Sequence, residues 1–99
     1  MKVVYLLSAD LDVQAIYNSL DAWCVGQGDL FLDALEEVTT LLETFPFSGR
    51  LQFDVYRRIV MLSFPFGVFY VVESNRILIH AVMNLRQNPG AIRRRLSLQ

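Results

Sequence analysis

Two apolar runs, Gly67–Glu73 ("GVFYVVE") and Arg76–Met83 ("RILIHAVM"), are separated only by Ser74 and Asn75. A two-residue link of turn-forming residues leaves room for nothing but a β-hairpin. Both strands of that hairpin are apolar on both sides. Val68, Tyr70 and Val72 alternate with Phe69 and Val71, and Ile77, Ile79 and Ala81 alternate with Leu78, His80 and Val82. A half-buried strand alternates apolar with polar residues, so these two must sit inside a sheet with something over each face. Upstream, "RRIVMLS" (57–63) is another β-rich run, joined to the first by the turn "FPF" (64–66). Three consecutive strands with short links make an antiparallel meander.

The N-terminal half supplies the cover. Val3–Leu7 is a short β-rich run, the first strand. Val13, Ile16, Tyr17, Leu20, Trp23 and Cys24 then follow at helical spacing, which predicts a helix over 9–24 with Ser8 as N-cap and Asp10 and Asp12 in its first turn. Gly26 and Gly28 break it, Asp29 offers the next cap, and Phe31, Ala34, Leu35, Val38, Leu41 and Leu42 form a second stripe. "TFPFSG" (44–49) is a break, residues 50–55 alternate as an extra strand, and "NPGAIRRRL" opens a short basic helix at Pro89. The expected fold is α+β: one domain over 1–99, with an N-terminal strand and an α-helical hairpin packed on a twisted antiparallel sheet. A helical hairpin covers one sheet face. The other is left as an apolar patch for a partner protein or a second copy.

Charge is segregated. Residues 1–49 carry eight acids against Lys2, a balance of −7, and residues 50–99 carry eight arginines against Asp54 and Glu73, a balance of +6, within a net charge of −1. Either the two halves attract each other, or the basic one faces an acidic protein or nucleic acid. Apolar residues are 54% of the 99, yet no run nears the roughly 18 that cross a bilayer. The start has no cleavage-site pattern, and the one cysteine, Cys24, forms no internal disulfide, so a cytoplasmic protein is expected. Cys24 reads as a buried helix-end residue. His80 has no second histidine or cysteine at ligand spacing, so no metal or other cofactor is expected.

Taken in order, "DLDVQAIYNSL", "RRIVMLSFPFGVFYVVE" and "ILIHAVMNLRQNP" resemble the RelE/ParE superfamily of bacterial toxins, the plasmid-stabilisation proteins. The resemblance spans nearly the whole chain. It implies a compact α+β toxin of a type II toxin–antitoxin module, neutralised by a cognate antitoxin. It also implies one of two targets: DNA gyrase for ParE-like members, or mRNA at the ribosome for RelE-like endoribonucleases.

The residues at the ribonuclease positions favour the first. Arg58, with Arg57 beside it, meets the family's strand cation. Val60 stands where a second basic residue occurs, Gly67 where an arginine follows the turn aromatic, Asn84 at the family histidine and Gln87 at an expected arginine, with Arg86 adjacent. No tyrosine lies beyond Tyr70, so a terminal tyrosine is missing. Cleavage at an RNA 2′-hydroxyl needs a base, an acid and phosphate neutralisation to converge. Arg57, Arg58 and Arg86 are the remaining catalytic candidates. Phe69, Tyr70, His80, Asn84, Arg93, Arg94 and Arg95 are the candidate contacts to target or antitoxin. Each also has a plainer role: aromatics and histidine as core or partner packing, the arginine run as a solvated face. A third possibility is a degenerate member that binds its antitoxin and inhibits nothing.

Overall fold

The 67–83 hairpin is the centre of the molecule. In the computed structural model, which describes residues 1–97, β1 (Lys2–Tyr5) is followed by α1 (Leu7–Trp23) and α2 (Gln27–Thr44). Then come β2 (Arg50–Leu51), β3 (Arg57–Val60), β4 (Phe66–Val72), β5 (Arg76–Asn84) and α3 (Pro89–Ser97). The sheet order is β1-β5-β4-β3-β2. The meander β3-β4-β5 is antiparallel as expected. The helical hairpin carries the chain across the sheet, so β1 joins β5 in parallel, Lys2 opposite Arg76 and Tyr5 opposite Ile79, and the sheet is mixed. The register of β4 on β5 slips between Phe69 and Tyr70: Phe69 faces Ala81 and Tyr70 faces Ile79, leaving His80 as the extra residue of a bulge.

Both faces of the central strands are covered. On one, Val68, Tyr70, Ile77, Ile79 and Val82 pack against Phe31, Leu35, Val38 and Leu42 of α2 and Ala9 of α1. The Phe64-Pro65-Phe66 turn folds onto α2, with the rings of Phe64 and Phe66 edge-on to Phe31 at 5.8 and 5.5 Å. On the other face, Phe69, Ala81 and Met83 lie under Ile92 and Leu96 of α3, with Phe53, Tyr56 and Leu85 at the margin. The expected bare sheet face is therefore not bare. Ile92 and Leu96 stand one helical turn apart and bury together, a contribution of about 1.5–3 kcal/mol each.

Several local expectations change. The first helix starts at Leu7, before Ser8, because Ser8 is not its cap: Ser8 Oγ donates to the His80 carbonyl at 2.7 Å, and the N-cap position, Leu6, makes no side-chain cap bond. Asp12 likewise leaves its expected place at the helix dipole and accepts the Val82 N–H at 3.0 Å. Asp29 does not cap α2; it accepts the Tyr17 hydroxyl, while Asp21 of α1 takes the N–H groups of Gly26 and Gly28 and fastens the turn. Gly26 has φ +96, the left-handed conformation that lets so short a link reverse the chain. Trp23 and Cys24 are exposed, contrary to their reading as apolar-stripe and buried residues, because the stripe outruns the surface beneath it. The strand expected over 50–55 is confined to Arg50–Leu51. Phe53 and Asp54 are both left-handed, at φ 55 and 69, and turn the chain so that the Gln52 N–H meets the Tyr56 carbonyl.

Candidate functional site

The three candidate catalytic arginines do not converge. Arg57 and Arg58 are neighbours on β3, so their side chains leave opposite faces of the sheet, and Arg86 follows β5, with β4 between. Arg57 is committed to structure. Its Nη1 donates to the Gly49 carbonyl at 2.9 Å and more weakly to that of Phe47 at 3.5 Å, and the guanidinium lies 5.0 Å over the Phe47 ring. The Tyr70 hydroxyl meets the same segment from below, accepting the Gly49 N–H and donating to the Pro46 carbonyl, both at 2.9 Å. Burial pushes the Tyr70 phenol above its ordinary range, although the Gly49 N–H, Arg57 and Ser48 pull the other way. Together Arg57 and Tyr70 hold residues 45–49 in a fixed shape that presents Phe45 and Phe47 to solvent.

The candidate contacts separate into core and surface. Phe69 and Tyr70 are completely buried, so they serve packing and are withdrawn from any contact surface of this conformation. His80 is half-buried, edge-on to Tyr56 at 5.2 Å. Asn84 ends β5 and accepts the Arg86 N–H at 2.8 Å. On α3, Arg93 lies 5.1 Å over the Phe53 ring and Arg94 is exposed. Arg95 pairs with both carboxylate oxygens of Asp12 at 3.0 and 2.8 Å. That pair is the one ion bridge between the acidic and basic halves among the described residues. No group of acids, histidine and cysteine suited to a metal occurs among them either.

Gly67 has a steric explanation. A Cβ there would stand 2.8 Å from Cδ2 of Leu85, which folds back across the sheet at this position. Leu85 is continuous with Phe69, Met83, Ile92 and Leu96. The face where an arginine would follow the turn aromatic is occupied by packed hydrocarbon.

Open apolar surface is found instead at the other side of β3. A groove of about 640 Å³ runs between α2 and β3, with Ala34, Val38 and Leu41 on the helix side and Ile59, Val60 and Leu62 on the strand side. Arg50 and Arg58 line its strand side, and Glu37 its helix side. Leu62 is 98% exposed and Val60 50%. The groove continues past Leu41 and Ser48 onto a second depression formed with Phe45, Pro46 and Phe47. Sequence reasoning passed over these residues: "TFPFSG" reads as a break, and Leu62 as the end of a strand. The available signal was the two phenylalanines inside a break segment, where turn residues alone would suffice.

A five-stranded mixed sheet, with a helical hairpin on one face and a short helix on the other, defines the compact α+β toxin class. The family model for the ParE toxin of the type II toxin–antitoxin system parDE matches residues 3–89, and the chain belongs to that family. Among solved structures, the chromosomal ParDE toxin–antitoxin system of P. aeruginosa contains a chain with the same fold. The TM-score is 0.77 at 17% identity, covering 87% of this chain and 97% of the other. No curated protein matches the sequence.

Proposed function

We propose that this protein is a growth-inhibiting toxin that acts by binding rather than by hydrolysis, with DNA gyrase as its target. A cognate antitoxin holds it inactive in the bacterial cytoplasm, in the manner of a plasmid-stabilisation module. Family membership supports the toxin role. The observation that carries the non-hydrolytic reading is the packing at Gly67. Leu85 packs where a side chain on residue 67 would stand, Arg57 is bound to backbone carbonyls, and Arg58 on β3 and Arg86 beyond β5 have β4 between them. Charge neutralisation and proton transfer at one phosphodiester require groups within hydrogen-bond reach of the same atoms.

Induced expression tests this. The expected outcome is growth arrest with an SOS response, intact mRNA, and double-strand breaks that require gyrase. mRNA cut at codon boundaries on the ribosome, and spared by Arg58→Ala, would establish the endoribonuclease instead. Unimpaired growth would identify a degenerate member.

A further inference from the structure

We propose that the face formed by α3 and the turn before it binds the phosphate backbone of duplex DNA. The choice of DNA over other polyanions rests on the reading of gyrase as target, since gyrase works on a DNA duplex. The surface itself is argued from charge and exposure.

The helical layers differ in sign. Helices α1 and α2 hold eight acids and no Lys or Arg, whereas beyond Glu73 the described chain has no acid and carries five arginines. Since α2 and α3 cover opposite faces of the sheet, the segregation along the chain is also a segregation in space. Arg95 is engaged by Asp12. Arg86, Arg93 and Arg94 are exposed and pair with no carboxylate among the described residues.

The sheet adds to this charge instead of balancing it. Arg58 alternates with Ile59 and Met61, which pack toward α2, so its side chain leaves on the α3 side. Arg50 of β2 stands directly opposite Arg58 and shares that face. Like charges opposite each other destabilise an antiparallel pair, and no acid bridges to either arginine among the described residues. An anion outside the fold relieves that repulsion.

The surface chemistry selects a nucleic acid over a protein. No large hydrophobic residue beyond Leu62 is exposed among the described residues, because Ile92 and Leu96 of α3 face the core. What α3 and its turn present is Arg86, Gln87, Asn88, Arg93 and Arg94. A protein partner needs apolar or aromatic anchors at the centre of its interface, whereas phosphates take guanidinium and amide donors. The duplex is favoured over a single strand because unpaired bases stack on exposed aromatics. Those of this chain, Trp23, Phe45 and Phe47, belong to α1 and the 45–49 segment. Asp54, which lines a depression with Arg93, is the acid on this side. The acids of α2 lie across the sheet, beyond the roughly 10 Å over which 0.1 M salt screens charge.

Fluorescence anisotropy of the antitoxin-free chain with a labelled DNA duplex of random sequence tests the proposal. Three phosphate contacts give log K against log salt a slope of about −2.7, so binding should weaken about 40-fold between roughly 50 and 200 mM salt. Arg86→Gln, Arg93→Gln and Arg94→Gln should each reduce the slope by about 1. The triple variant should lose binding altogether. Glu36→Gln and Glu37→Gln, on the opposite layer, should leave the slope unchanged. All five side chains are exposed, so these variants fold. No binding at the lower salt, a slope that the triple variant keeps, or tighter binding of duplex RNA or single-stranded DNA would overturn the proposal. Capture of the same chain by purified gyrase scores the target separately. Binding to gyrase without binding to bare duplex sinks the DNA face alone, and binding to duplex without binding to gyrase sinks the gyrase reading alone.

Discussion

At the scale of single residues, Gly67 changes meaning between sequence and structure. In the sequence it is a missing arginine. In the fold it is the space that Leu85 needs, with Cδ2 of Leu85 2.8 Å from where a Cβ would stand. The contact is with the end of a flexible side chain, so the cost of filling it is moderate. Gly67→Ala should lower stability by about 1–2 kcal/mol through overpacking. In a Leu85→Ala background the same change should be close to neutral. Urea unfolding of the four proteins in that cycle gives the coupling directly. Gly67→Arg should unsettle the α3 face, since the new side chain meets Leu85. Arg57 shows the same shift: a catalytic candidate by type, it is bound to the carbonyls of Gly49 and Phe47 by position.

At the scale of elements, α1 closes an edge. β1 ends at Tyr5, so β5 runs on past Ile79 with an unpaired outer side. Ser8 and Asp12 lie one helical turn apart, about 6 Å along the axis, close to the spacing of alternate strand residues. They therefore meet His80 and Val82, Ser8 as donor to a carbonyl and Asp12 as acceptor from an N–H. Asp12 also grips Arg95, so one carboxylate ties α1, β5 and α3 together. Asp12→Ala should cost about 1–3 kcal/mol by leaving the Val82 N–H unmatched and removing the carboxylate that Arg95 pairs with. The loss should be local as well as global: amide exchange should accelerate over residues 89–97 more than over the core strand β4. Uniform acceleration would show that α3 is held by Ile92 and Leu96 alone. Neither role was legible in the sequence, because a serine and an aspartate at a helix start read as cap and dipole residues whatever lies across from them.

At the scale of the whole molecule, three layers with two small cores put tyrosines where ionisation is costly. Burial raises the Tyr5 phenol, and nearby Asp10 adds to the rise against the Thr39 hydrogen bond; burial raises Tyr70 as well. Both start from an ordinary value of 10.0. A raised folded-state pKa means that the unfolded chain releases its protons first as pH climbs. Folding stability is therefore undiminished below about pH 10 and falls from there up to the folded values. Urea midpoints measured across this alkaline range should drop steeply, and Tyr5→Phe should flatten the drop. A midpoint that holds steady until the protein unfolds at once would exclude the burial effect. Charge segregation also resolves at this scale. Apart from Arg95–Asp12, no ion pair joins the acidic and basic halves among the described residues.

What the sequence determined by itself was the hairpin, the meander, the helical hairpin and the family. Each is written in short-range terms: a two-residue link, a period of two, a period of 3.6, and an ordered set of motifs. The mixed character of the sheet, the cover of its second face by α3, and the choice between buried Phe69 and exposed Leu62 were decided only in tertiary structure. These depend on which elements meet across long separations. An apolar residue becomes core, or part of a docking surface, according to whether another element arrives to cover it.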